Sequence, residues 1–176
     1  MVIDLSIPVF DGMNMFSTFP AVQVADYWTY EQTASRYLEP CKGCKVTKLS
    51  MVDHTGTHVD SPSHFIIGGK TISEVPVDAY SGPAVCVDVS EKGDDRILTL
   101  ELFQRYLSEQ HVELKEGLIL ILRCTKKHYL DPDFLKVQAL SEQVAQYIVS
   151  KKIKAVGLDL MAVDSLEDMR RPSHMI

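Results

Sequence analysis

Long apolar runs are scarce in this chain. The longest unbroken aliphatic stretch, Leu118 to Leu122, is far shorter than the roughly 20 apolar residues a membrane-spanning helix needs. The opening Met-Val-Ile-Asp-Leu-Ser has no basic segment followed by an apolar run, so it does not read as an export signal. Together these absences predict a cytoplasmic protein with no membrane partner. Excess positive charge is missing too: 18 Lys and Arg against 24 Asp and Glu leave a net charge of -6. Lys42, Lys45 and Lys48 form a small solvated cluster rather than a footprint for phosphate backbones, so no nucleic-acid partner is expected. Cysteine is sparse, at 41, 44, 86 and 124. Cys41-Lys-Gly-Cys44 could be half a zinc site or a redox pair, but no second Cys-x-x-Cys completes a site, and two reduced thiols in a loop is the simpler reading. Cys86 and Cys124 lie in or beside apolar segments and read as buried small hydrophobes. Repeats and low-complexity segments are absent.

With 45% hydrophobic residues in 176, the chain can bury a core and is expected to form one domain over residues 1–176. Val2 to Ile7 alternates apolar and polar residues as a half-buried strand would, with Pro8 closing it. A turn-rich loop follows from Asp11 to Pro20. Residues 21–40 carry aromatics of ambiguous period and support no assignment. Lys45 to Val52 reads as a strand, as does Ala84 to Val89, and Glu91 to Arg96 as a charged loop. Thr99 can cap a helix to about Gln110 whose apolar stripe is Leu102, Phe103, Tyr106 and Leu107. Leu118–Leu122 suggests a strand covered on both faces. Ser141 can cap a second helix to about Lys152 that buries Val144, Ala145 and Ile148, and Ala155 to Leu160 is the last strand. Strands followed by helices predict an α/β fold, a mixed sheet with flanking helices.

Histidine is concentrated in one place. Asp53-His-Thr-Gly-Thr-His-Val-Asp-Ser-Pro-Ser-His-Phe65 holds three of the six histidines. His54, His58, Asp60 and His64 can each bind a metal or move a proton, and imidazole beside carboxylate is a common catalytic zinc set. A helix would align His54 with His58 but turn Asp60 and His64 away. In a straight strand, four residues at about 3.3 Å each would hold His54 roughly 13 Å from His58, whereas two ligands of one zinc lie no more than ~4 Å apart. The segment must therefore curl, with Gly56 free to take the dihedrals of a tight turn and Pro62 able to set a second bend. Two neutral nitrogens and one carboxylate would leave a position open for water, as in hydrolytic zinc sites.

His54-Thr-Gly-Thr-His58-Val-Asp60-Ser-Pro62-Ser-His64-Phe65 resembles the His-x-Gly-Thr-His-x-Asp-x-Pro-x-His-Phe signature of the cyclase family of metal-dependent hydrolases, which includes bacterial kynurenine formamidase and isatin hydrolase. Asp4-Leu5-Ser6, Pro8, Gly12-Met13, Gly68-Gly69, Gly157-Leu-Asp159, Asp164 and His174 extend the likeness over most of the chain. The resemblance implies a β/β/α arrangement of swivelling-domain type. It also implies His54, His58 and Asp60 as metal ligands, His64 as the acid/base and His174 as ligand of a second metal position. Phe16 would stand where the formamidases carry a tryptophan against the substrate, although Phe16 and Phe19 could simply pack their loop. Asp159 and Asp164 could approach the site, yet loop capping is the plainer use of each.

The implied activity is hydrolysis of a small-molecule amide by metal-activated water, N-formylkynurenine being cleaved to kynurenine and formate. The alternatives are ring opening of a cyclic amide such as isatin, or a metal- or ligand-binding protein without turnover. Mixed His/Asp ligation suits Zn2+, with Mn2+ the alternative. The family suggests a homo-oligomer, dimer or tetramer. Its second-metal glutamate and the strand beyond His174 have no counterpart here, so a chain shortened at its C-terminus is expected.

Overall fold

The computed structural model describes residues 2–94, 96–131, 133–136 and 139–176; Asp95, in the expected charged loop, lies outside them. The chain folds as two compact units, Met1–Asp60 and Ser61–Ile176.

In the first unit, β1 (Gln23–Trp28) and β2 (Val46–Ser50) form an antiparallel pair running from Gln23 opposite Ser50 to Asp26 opposite Thr47. The register slips between Asp26 and Trp28, so Trp28 faces Val46, the mark of a bulge that bends the edge. Thr29 then starts the short helix α1 (Tyr30–Thr33) through a reciprocal cap: its hydroxyl accepts from the Gln32 backbone N–H at 3.3 Å, and its own N–H donates to the Gln32 side chain at 2.9 Å. That satisfies two of the backbone donors a helix start leaves without partners. The fully buried Thr33 closes the connection to β2, its hydroxyl accepting from the Cys44 backbone N–H at 2.8 Å.

Residues 2–7, expected as a strand, have no strand partner among the described residues. Val2 is 98% and Leu5 85% exposed, so the apolar alternation there serves no buried face within this chain. The segment is tied down instead where the Ile7 N–H donates to the Thr57 hydroxyl at 3.0 Å.

The second unit is built on a parallel sheet in the order β3 (Ala84–Asp88), β4 (Ile119–Arg123), β5 (Ala155–Leu158). Each crossover carries a helix, α2 (Leu100–Glu109) and then α3 (Glu142–Ser150). One sheet face presents Val87, Leu120 and Leu122, and α2 and α3 bury it with Phe103, Leu107, Val144 and Ile148. The α2 stripe therefore does what its spacing predicts. Thr99 caps α2 by accepting from the Leu102 N–H at 3.3 Å. Ser141 occupies the corresponding position before α3, but its buried hydroxyl makes no hydrogen bond; its backbone N–H instead donates to the Leu98 carbonyl at 3.1 Å.

The aliphatic run of β4 is not covered on both faces as expected. Leu120 and Leu122 are buried, whereas Ile121 between them is 37% exposed. Neighbouring strand residues point to opposite faces, and α2 and α3 cover only one. The cysteines follow the same division: Cys86, paired with Ile121, is exposed, contrary to expectation, while Cys124 is buried. The architecture is thus mixed α/β, with an antiparallel pair and a parallel sheet flanked by helices. No helix among the described residues is long and apolar enough to cross a membrane.

Burial, reinforced by the charge of Asp159, pushes the Cys124 thiol up to about 12. Because the thiolate is the reactive form, Cys124 should resist a thiol reagent at pH 8 until the chain unfolds, while the exposed Cys41 and Cys86 and the half-buried Cys44 react in the native protein. Time-resolved thiol titration checks this, and native labelling of Cys124 as fast as the others would contradict it.

Candidate metal centre

The histidine segment leaves β2 and curls at once. Gly56 adopts φ +69°, a left-handed conformation that costs other L-residues about 1–2 kcal/mol. The turn lies against the first residues of the chain: a Cβ built on Gly56 would meet Val9 at 3.3 Å and Ile7 at 3.7 Å. Thr55 beside it is buried, and the Thr57 hydroxyl holds the Ile7 N–H. The exposed amino-terminal segment thus acts as the floor on which the turn is set.

Across this turn the side chains of His54, His58 and Asp60 converge. His54 Nδ1 lies 3.2 Å from His58 Nε2, and Asp60 Oδ1 lies 2.9 Å from His54 Nδ1 and 3.4 Å from His58 Nε2. Ligands about 2.0–2.1 Å from a tetrahedral zinc are spaced by roughly 3.3 Å, so the triangle has the edge lengths of one face of such a polyhedron. Three lone-pair atoms this close repel unless a cation or a proton lies among them. The tautomer also suits a cation: His58 Nδ1–H donates to the Gly56 carbonyl at 2.8 Å, leaving Nε2 as the lone-pair nitrogen. Gly56 therefore supplies both the turn and the acceptor that aims His58. The Asp60 carboxylate, working against partial burial and assisted by the Gly56 carbonyl, raises the His58 pKa above that of an ordinary imidazole. Set beside the expected ligand set, the three residues nearest in sequence form a cluster able to hold a metal ion.

In the second unit, Pro62 opens a short 3-10 turn, Pro62–His64, giving the second bend expected at this proline. The His64 ring stands edge-on to Phe65, centroids 4.4 Å apart, and 5.8 Å from the ring of His174. His174 lies in α4 (Pro172–Met175), with its ring 4.2 Å from Phe65 and its Nδ1 2.6 Å from Asp164 Oδ2. Asp164, only 2% exposed, also accepts from the backbone N–H groups of Ser173 at 2.8 Å and His174 at 3.1 Å. Burial pushes its carboxyl up, but the bonds from Ser173 and His174 outweigh that and hold it below the usual carboxylate range.

Capping, the plainer sequence reading of Asp159 and Asp164, describes both. Asp159 accepts from the Cys124 N–H at 2.6 Å, just past β4, and Asp164 caps α4. The link from Asp164 to the His174 ring was not legible in the sequence, because ten residues separate them. Phe16 packs edge-on against Phe19 with centroids 5.4 Å apart.

A family model described as putative cyclase matches residues 3–165. Among curated relatives, a kynurenine formamidase of Bacillus cereus is 32% identical over 98% of this chain and 74% of its own length. One of Bacillus anthracis is 31% identical with the same coverage. Among solved structures, isatin hydrolase A from Labrenzia aggregata, bound to benzyl benzoate, matches with a TM-score of 0.71 at 23% identity, over 99% of this chain and 72% of that one. Isatin hydrolase A from Ralstonia solanacearum matches with a TM-score of 0.73 at 19% identity, over 98% and 73%. At these identities the structural likenesses establish the fold.

Gly56→Ala forces a Cβ into the left-handed turn and against Val9. It should lower stability by about 1–2 kcal/mol and weaken uptake of added zinc, measured by denaturant unfolding and by metal analysis after dialysis. An alanine variant with unchanged zinc uptake would show that the turn does not set the ligands. Since a proton on His58 competes with a metal and its pKa is raised, zinc uptake should fall off on acidification at a higher pH than an ordinary imidazole would dictate.

Proposed function

The chain belongs to the cyclase family, and from that membership we propose that it is a metal-dependent hydrolase cleaving the C–N bond of a small aromatic amide. The observation that carries the reading is the triangle of His54 Nδ1, His58 Nε2 and Asp60 Oδ1 with sides of 2.9–3.4 Å. These three residues would hold the ion. Two imidazoles and a carboxylate favour Zn2+, with Mn2+ the choice if further oxygen ligands complete an octahedron. When bound, such an ion would supply Lewis acidity, lowering the pKa of water toward about 7 and polarising the amide carbonyl.

The remaining steps belong to side chains of this protein. His64, four positions after Asp60 in the sequence, is assigned the proton transfer: it takes a proton from the attacking water and returns it to the leaving nitrogen, a role suited to imidazole. Phe16 is assigned to the substrate's aromatic ring, its own ring steadied by Phe19. His174 is assigned as a further metal ligand.

Two substrates fit this chemistry, since each is an amide with its nitrogen on an aromatic ring. Isatin would be opened at its ring amide to a single product, a reading supported by the isatin hydrolases among the solved structures of like fold. N-formylkynurenine would release formate, the reading supported by the kynurenine formamidases among the relatives.

Metal-analysed protein assayed with both compounds decides between them, and metal retention without turnover of either would favour a binding protein. His58→Ala should abolish both bound metal and turnover. His64→Ala should keep the metal and lose about 10²–10⁴-fold in kcat. Equal metal loss from the two variants would overturn this division of roles.

A further inference from the structure

We propose that Asp164 is a positioning residue for His174, fixing the imidazole with its proton on Nδ1 so that Nε2 is the nitrogen it offers to a metal ion. The geometry leaves little latitude. A carboxylate can only accept, so the 2.6 Å contact between Asp164 Oδ2 and His174 Nδ1 requires the proton on Nδ1. The same oxygen accepts from the His174 backbone N–H at 3.1 Å, and Oδ1 accepts from the Ser173 N–H at 2.8 Å. One buried carboxylate thus grips both the backbone and the ring of His174, which removes rotation about the side chain as well as the tautomer choice.

Two further contacts close the arrangement. The Phe65 ring lies 4.2 Å from the imidazole at 41°, restricting the ring from one face. Upstream of α4, Arg171 takes the left-handed conformation at φ +49°, which a side chain rarely adopts. Its guanidinium holds that turn by donating to the Ser165 carbonyl at 2.7 Å and the Leu166 carbonyl at 3.4 Å. The turn brings Ser173 and His174 back onto Asp164, ten residues earlier than His174. A carboxylate that only capped α4 would need the two backbone donors; the short bond to the ring goes beyond that requirement. Carboxylate–histidine pairs of this kind orient metal-bound imidazoles and raise their basicity.

The inference rests on the proposed role of His174 as a ligand, but its first test does not. The 176-residue chain labelled with 15N-histidine and freed of metal should show His174 at pH 8 with a protonated Nδ1 and an unprotonated Nε2. A resonance pattern with the proton on Nε2 would overturn the proposal whatever the activity proves to be. In Asp164→Asn the amide must turn its NH2 toward either the Ser173 or the His174 N–H, so the grip fails. The expected outcome is a mixed or reversed His174 tautomer and a 10–100-fold weaker response of the His174 signal to added Zn2+, with the His54 and His58 responses unchanged. An unaltered tautomer and Zn2+ response in a folded Asp164→Asn would refute the assignment. If that variant does not fold, the wild-type tautomer alone decides. Failure of the hydrolase reading appears separately, as absence of turnover or of Zn2+ uptake at His54 and His58 while the His174 tautomer stays as proposed.

Discussion

Three lone-pair atoms brought within 3.4 Å of one another are the constraint around which the first unit is arranged. Left alone, such a triangle is repulsive, and a backbone that holds it must be fixed by something else. Gly56 supplies the left-handed turn, its carbonyl orients His58, and the Thr57 hydroxyl ties the turn to Ile7 near the start of the chain. A cation among these atoms would convert repulsion into ligation, and metal binding and the rigidity of the turn would then support each other. The antiparallel pair of β1 and β2 contributes mainly by delivering the segment in the right direction.

The second unit uses a different device for a similar end. Its helices bury one face of the parallel sheet, and from the rim of that core Asp164 reaches His174. Here a buried carboxylate sets an imidazole, where in the first unit a main-chain carbonyl does so. Both devices place the proton on Nδ1 and leave Nε2 as acceptor, so each of these two imidazoles presents a lone pair at Nε2.

Much of the architecture was readable in advance because it rests on local rules. The Thr99 cap and the stripe of Phe103, Tyr106 and Leu107 mark α2 by spacing alone, and the aliphatic run marks β4. The misreadings share one cause, since periodicity reports that a face is apolar and not what covers it. Val2 to Ile7 alternates like a strand but has no ladder among the described residues, and Ile121 and Cys86 lie on the uncovered face of an apolar strand. Ser141, at the cap position of α3, follows no such rule: its hydroxyl makes no hydrogen bond while its backbone N–H donates to the Leu98 carbonyl.

For the candidate site, the sequence alone determined which residues gather and that the chain must bend between them: neither a helix nor a strand can bring His54, His58 and Asp60 to one point, and glycine is the residue that tolerates the required turn. Tertiary structure decided the rest. Which nitrogen His58 and His174 present depends on a carbonyl two residues from His58 and a carboxylate ten residues from His174. The second of these comes from a separate turn of chain, and hydrogen bonds between distant segments leave no periodic trace in the order of residues.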